Sequence, residues 1–359
     1  MMRDQAEVGT LSGAVTFKPL STALHDGVRF FRNPLPSLAN RPYAVMLDPD
    51  IRRLLDTVFR VPPETGAPDL VQLRAAAEAA PQLLGGVPEP VASIRELRVP
   101  GPAGSIAVRV YRPASTAPTA PVPLVLYLHG GGWVVGSLES HDKLCRILAN
   151  RLAAVIVAVD YRLAPEHVYP AALDDVEATW RWARAEAPAL GAGGKCFAVA
   201  GDSSGGNLAA ALTLRLARTG ATQPHAQLLF YPALDATCSS ASYREFATGY
   251  NLSGAQMSWY WSAYRGGTAS NAPELSPLAA PQVSDLPPAV IALAEADVLR
   301  GDGLDYANRL QAAHVPVRIV DCTGTIHGFL RWTGEVPAAR VWIDAIAAAA
   351  RDLFALRGG

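Results

Sequence analysis

The stretch VAGDSSGGNLAAAL (Val199–Leu212) sets an apolar run against an alanine-rich run and puts two serines between glycines at the junction. A short apolar run that breaks at Gly/Ser turn residues and resumes as an alanine-rich segment reads as a strand turning directly into a helix. Small polar residues at such a junction serve either a tight connection or a hydroxyl that does chemistry. The rest of the chain decides between the two.

Working outward, similar runs recur. PLVLYLHGG (Pro123–Gly131) and AAVIVAVDY (Ala153–Tyr161) precede the serines; KCFAVAGD (Lys195–Asp202) leads into them. AQLLFYP (Ala226–Pro232), PAVIALAEAD (Pro288–Asp297) and VPVRIVDC (Val315–Cys322) follow. Strands without polar alternation are buried on both faces, as in a parallel sheet covered by helices. Helical patterns lie between them at Ser140–Arg151, Ala171–Ala187, Gly206–Arg218, Gly301–Ala313 and Ala338–Leu356. This alternation predicts an open α/β fold. Ile94–Pro113 holds two β-rich runs joined by Pro-Gly and Ala-Gly, a hairpin for the sheet's edge.

Two regions break the rhythm. Residues 1–93 contain a helix start at DPDIRRLLDTV, with Asp48 as N-cap and Pro49 at the first helical position. A second helix lies near Asp69–Ala79. Residues 235–285 form an insertion rich in aromatics, among them Trp259, Tyr260, Trp261 and Tyr264. Long connections of this kind act as lids. The domain reading is therefore an N-terminal extension with cap helices (1–93) and a catalytic domain (94–359) carrying an inserted lid (235–285). The two cap segments are expected over the sheet's C-terminal edge, where open α/β folds bind ligands.

Composition narrows the function. The 359 residues are 50% hydrophobic and 18% charged, enough for a substantial core. A formal charge of −1 gives no electrostatic reason to expect nucleic acid or anionic membrane as partner. Cys145, Cys196, Cys238 and Cys322 are widely spaced, which suits free thiols better than a metal cluster or disulfide framework. No window approaches the roughly 18 apolar residues of a spanning helix, and the N-terminus lacks the apolar core of a secretion signal. The expectation is a cytoplasmic protein without membrane span.

Gly201-Asp202-Ser203-Ser204-Gly205 satisfies Gly-x-Ser-x-Gly in strand–helix context, the setting of a nucleophile elbow. Its partners must then follow in the order acid, histidine, with oxyanion donors upstream. LHGGGW (Leu128–Trp133) ends an earlier strand, and its glycines let backbone N–H groups approach a developing oxyanion. A phosphate loop is the weaker reading, because no Gly-Lys-Ser/Thr or Gly-x-Gly-x-x-Gly is present. Of seven histidines, His327 in TGTIHGFL alone fits order and placement; His129 is expected to brace the glycine loop. For the acid, LAEADVLRGDG offers Asp297 at a strand end, with Glu295 and Asp302 as alternatives.

These residues resemble the bacterial hormone-sensitive-lipase-like esterases, α/β-hydrolases with an N-terminal cap. The resemblance runs from about Asp48 to the C-terminus, through HGGGWVVGS, DYRLAPEHVYPAALDD (Asp160–Asp175), GDSSGG, ADVLRGDG and HGF. The chain departs at Ser204, where the family usually has alanine, and at Val298 and Gly301 of the acid loop. The resemblance implies an α/β-hydrolase fold and Ser203, His327 and Asp297 as catalytic triad, with no metal or organic cofactor needed. It also implies an oxyanion hole from the N–H groups of Gly131, Gly132 and Ser204. Trp133, Asp202 and Tyr250 are the expected substrate contacts. Carboxylic esters with short to medium acyl chains are the implied substrates, and a homodimer is the candidate assembly. A non-catalytic small-molecule receptor and a carboxylesterase-like dehydratase are the rival readings on the same fold.

Overall fold

In the computed structural model, which describes residues 28–29, 45–59, 69–114 and 122–355, the apolar runs become the inner strands of one sheet. The described elements begin with β1 (Val28–Arg29), α1 (Pro49–Thr57), α2 (Leu70–Leu84), β2 (Ser93–Gly101), β3 (Gly104–Arg112) and β4 (Val122–Leu128). Then come α3 (Asp142–Leu152), β5 (Val155–Asp160), α4 (Ala171–Ala185), β6 (Ala192–Asp202), α5 (Ser204–Thr219) and β7 (Ala226–Phe230). The lid region holds α6 (Ser242–Glu245) and α7 (Gly254–Arg265). The chain closes with β8 (Ala289–Ala296), α8 (Arg300–Ala312), β9 (Val317–Ile326) and α9 (Pro337–Ala355).

The sheet order is β1-β9-β8-β7-β6-β4-β5-β3-β2. Pairing is parallel from β5 through β4, β6, β7 and β8 to β9, and antiparallel at both edges. This is an α/β-hydrolase fold: a mostly parallel sheet flanked by helices, with a helical cap region. Burial follows pattern. Every residue of β7 and β8 is buried, whereas β2, the outer strand of the expected hairpin, buries only Val99. Asp48 caps α1 by accepting from Asp50 N and Ile51 N, and Asp69 caps α2 in the same way through Val71 N and Gln72 N.

Two boundaries differ from expectation for one reason: glycine marks close packing as well as turns. Helix α5 begins at Ser204, because Gly205 and Gly206 are helical residues pressed against neighbours. A Cβ on Gly205 would lie 1.9 Å from the Leu128 carbonyl oxygen. Strand β9 continues past Cys322 through Gly324, whose φ of +74° sits where the β8–β9 register shifts. There Gly324 N donates to Glu295 Oε2 and Gly324 O accepts from Asp48 N, tying β9 to the start of α1.

The 235–285 insertion packs into the core. Tyr243, Phe246, Met257, Trp261 and Tyr264 are buried, while Trp259 and Tyr260 are half-buried. On the other side, Arg74 of α2 clamps Glu166 with two hydrogen bonds and reaches the carbonyls of Val134 and Ala164. The cap helix is thereby fastened to the segment that follows the glycine loop. Among the described residues no helix is long and apolar enough to cross a membrane. The first 27 residues and residues 30–44, which include most of the N-terminal extension, lie outside the described residues.

Candidate active site

Parallel strands deliver their C-terminal ends to one edge, and β4, β6, β8 and β9 are each followed there by residues of the site. The turn from β6 into α5 is sharp. Ser203 adopts φ 56°, ψ −120°, a conformation that costs a non-glycine residue about 1–3 kcal/mol. It is held there by Ser203 N donating to Phe230 O at 2.8 Å, and by Asn207 N and Ala233 N, which donate to Ser203 O. The flanking glycines are obligatory: a Cβ on Gly201 would fall 2.3 Å from the Gly205 carbonyl.

His327 sits just past the end of β9. Its Nε2 lies 2.9 Å from Ser203 Oγ, and its Nδ1 lies 2.7 Å from Asp297 Oδ2. An ionised carboxylate only accepts, so Nδ1 carries the proton and Nε2 is free to accept from the serine hydroxyl. Asp297 is 1% exposed, and its other oxygen accepts from Leu299 N at 2.9 Å. The two alternative acids are engaged elsewhere. Glu295 accepts from Gly324 N, and Asp302 accepts from Leu234 N and Asp235 N at the root of the lid. Burial pushes the Asp302 carboxyl well above its ordinary value, against the pull of those two N–H groups.

The glycine loop after β4 faces the same point. Gly131 and Gly132 have φ of +127° and +58°, and a Cβ on Gly131 would meet the Val135 carbonyl at 2.1 Å. Among the described residues their N–H groups donate to no protein acceptor. Ser204, at the first turn of α5, adds the N-terminal end of a buried helix, which favours negative charge. Above the loop stands Tyr260 of α7, so close that a Cβ on Gly132 would lie 2.2 Å from its ring.

A second layer braces the loop. Asp202 Oδ1 accepts from Tyr127 Oη at 2.6 Å and from Gly130 N at 2.9 Å, and the His141 ring lies 3.3 Å away. Burial alone would raise this carboxyl, but the neighbouring His141 ring and the Tyr127 hydroxyl hold it below the usual carboxylate range. His129 stacks on Tyr161 with centroids 4.2 Å apart, and Tyr161 Oη donates to His129 O at 2.6 Å. Burial drives the His129 imidazole down to about 3, with the nearby His141 acting in the same direction, so it stays neutral.

The structure encloses the side chains of two of the expected substrate contacts. Asp202 is 1% exposed and its carboxylate is taken up by the brace just described. Trp133 is fully buried, stacked on Tyr264 at 4.4 Å and against Trp261 at 4.3 Å, so it joins glycine loop to lid. Tyr250 is half-buried beside Phe246 in the lid, next to Asn251, whose Nδ2 donates to His327 O at 3.3 Å. Sequence reasoning missed Tyr127 and His141 as members of the brace. An acidic residue inside the serine motif was the available signal that such partners were needed. Among the described residues no group of His, Cys, Asp or Glu is arranged to hold a metal ion. The arrangement brings together a serine hydroxyl, an imidazole placed to accept its proton and unpaired backbone N–H groups, the parts that acyl transfer requires.

Comparison with known proteins finds the same fold and esterase relatives. A family model described as alpha/beta hydrolase fold matches residues 125–331. Esterase LipI of Mycobacterium tuberculosis is 38% identical over 313 residues, spanning 85% of this chain and 95% of that protein. An ester-hydrolase from the metagenome of Lake Arreo, solved with a bipyridine phosphonate derivative, superposes with a TM-score of 0.79 at 39% identity. The match covers 88% of this chain and 100% of that one. The hyperthermophilic esterase of Pyrobaculum calidifontis gives 0.80 at 36% identity, covering 86% and 98%.

Proposed function

The chain belongs to the alpha/beta hydrolase family, and from that premise we propose a carboxylesterase of the hormone-sensitive-lipase-like type, acting on short- to medium-chain carboxylic esters. The observation that carries this reading is the continuous relay Ser203 Oγ–His327 Nε2 and His327 Nδ1–Asp297 Oδ2, at 2.9 and 2.7 Å, beneath a lid. A non-catalytic receptor on the same fold has no use for an assembled relay at a strained serine.

Ser203 Oγ attacks the ester carbonyl carbon while His327 Nε2 takes its proton. Charge moves onto the carbonyl oxygen, where the N–H groups of Gly131, Gly132 and Ser204 receive it; each such donor contributes about 2.7–4 kcal/mol in the transition state. The tetrahedral intermediate collapses by breaking the bond to the alcohol oxygen, which leaves with the proton from His327. Water then repeats the sequence on the acyl-enzyme, releasing the carboxylic acid and restoring Ser203. Asp297 fixes the imidazole tautomer and supports the imidazolium.

In this reading α1 and α2 of the 1–93 segment and the 235–285 insertion form the cap, and 94–359 the catalytic domain around it. The buried aromatic residues of the lid support a closed pocket, in which added methylenes help by about 0.8 kcal/mol each until space ends. Beyond that point overpacking costs about 1–3 kcal/mol. Tyr250, beside the residue that holds His327 O, is the lid side chain assigned to substrate contact. The four cysteines are unpaired thiols, which supports a reducing, cytoplasmic setting. Hydrolysis of p-nitrophenyl esters of increasing acyl length, set against emulsified triolein, tests the reading. An optimum at short or medium chains is expected; a preference for the emulsion overturns it, and failure to hydrolyse any ester returns the dehydratase reading.

A further inference from the structure

Arg331 closes the segment HGFLR (His327–Arg331), four residues after the histidine of the relay, in a single 3₁₀ turn over Phe329–Arg331. The buried Arg109, Arg215 and Arg300 and the half-buried Arg162 each meet a carboxylate: Arg109 meets Glu96 and Asp142, Arg162 meets Asp175, Arg215 meets Glu274, and Arg300 meets Asp321. Arg331 is partly buried and has no such carboxylate, while an enclosed Nε without acceptor is a feature it shares with Arg184 and Arg300. Its Nε is fully enclosed with no acceptor, and among the described residues no carboxylate or carbonyl lies within hydrogen-bond reach of its guanidinium. A guanidinium presents five donors in a fixed fork, and leaving a buried donor empty costs about 1–3 kcal/mol. The terminal nitrogens of Arg331 are not enclosed in this way and remain open to an anionic partner.

Its position says which anion would benefit. One terminal nitrogen lies so near Gly328 that a Cβ there would be 3.3 Å from it, so the fork borders the loop that carries His327. Its charge is felt by four groups around the site: His129 and Asp202 of the loop brace, Tyr231, and Tyr260 of the lid. Tyr231 is edge-on to the His327 ring at 4.8 Å, and the Tyr260 ring covers Gly132. The guanidinium therefore borders the turn after the catalytic histidine, with the loop brace and Tyr260 within reach of its charge. We infer that Arg331 selects ester substrates that carry a carboxylate elsewhere in the molecule, receiving it through its planar fork while the ester carbonyl lies over Ser203. This rests on the esterase reading. A planar, bidentate partner is what distinguishes arginine from a point charge, so a carboxylate is the matching class.

The test compares matched esters on the full-length protein. Mono-p-nitrophenyl glutarate is set against its neutral methyl ester, placing the carboxylate on the acyl side. Para-acetoxybenzoate is set against methyl para-acetoxybenzoate, placing it on the alcohol side. In at least one pair the anionic-to-neutral ratio of kcat/KM is expected to fall about tenfold or more in Arg331→Gln and to recover partly in Arg331→Lys. The wild-type ratio should also fall as sodium chloride is added. Equal losses on both members of each pair assign Arg331 a purely structural role and overturn the inference, as does an unchanged ratio in both pairs. If Arg331→Gln does not fold, competitive inhibition of the wild type by glutarate, weakened in Arg331→Lys, decides; no inhibition overturns it. Hydrolysis of the neutral esters without any ratio change sinks this inference alone. Failure of the wild type on every ester sinks the esterase reading itself.

Discussion

Tyr127→Phe deletes one hydroxyl and leaves a fully buried ring in place. That hydroxyl donates to Asp202 Oδ1 at 2.6 Å, the same oxygen that receives Gly130 N at 2.9 Å. No methylene is lost, so the cavity term is small and the cost is that of one hydrogen bond to a charged acceptor, about 1.5–3 kcal/mol of stability. Asp202 keeps Gly130 N and the His141 ring, which limits the damage to this one contact. Catalysis should also suffer. With Oδ1 freed, the carboxylate shifts and Gly130–Gly132 loosen, forfeiting part of the about 2.7–4 kcal/mol that each oxyanion donor supplies. Losing about 1–2 kcal/mol of that lowers kcat about 5- to 30-fold. KM should change little, because the donors act on charge that exists only in the transition state. Urea denaturation and initial rates on p-nitrophenyl butyrate give both numbers. A variant with unchanged kcat, or one that raises KM alone, refutes the claim that Asp202 holds the oxyanion loop.

Asp297→Asn should lower kcat by at least about a hundredfold, whereas Glu295→Gln should stay within about threefold of wild type, as steady-state rates will tell. Asp302→Asn should chiefly lower stability, seen as an earlier denaturation midpoint, because its carboxyl anchors Leu234 and Asp235 at the root of the lid. Acid should destabilise the protein through His129: as pH falls from about 6.5 toward 3, the unfolded chain takes up a proton that the buried imidazole refuses. His129→Asn should flatten that limb of the stability profile, measured by denaturation at several pH values. Gly205→Ala should prevent folding or abolish activity, since its methyl would overlap the Leu128 carbonyl oxygen; a soluble, active variant would show that the elbow is less tightly packed than its distances indicate.

What was legible in the sequence is what local pattern encodes. Unalternating apolar runs announced β4 through β9, because only strands covered on both faces tolerate such composition. Asp48 and Asp69 announced their helices through capping chemistry, and chain order with strand-end placement singled out Ser203, Asp297 and His327. What stayed hidden depends on contacts between distant residues. The two-residue β1 has no pattern of its own and exists only by pairing with β9. Asp202 and Trp133 stand beside catalytic residues, so adjacency suggested substrate contact. Their partners Tyr127, His141, Trp261 and Tyr264 lie tens of residues away, and only the folded arrangement shows both side chains enclosed. Arg331 was overlooked because an arginine without a partner looks in sequence like any other.

The central claim is that the first of the two adjacent serines is the nucleophile. Treatment with an activated phosphonate ester, followed by peptide mass spectrometry and paired with rates for Ser203→Ala and Ser204→Ala, tests it most directly. The account predicts one stoichiometric adduct on Ser203. It also predicts a folded Ser203→Ala variant at least about a thousandfold less active, and a Ser204→Ala variant that retains most activity because only its backbone N–H is used. An adduct on Ser204, or a Ser203→Ala protein that still turns over ester at the wild-type rate, contradicts it.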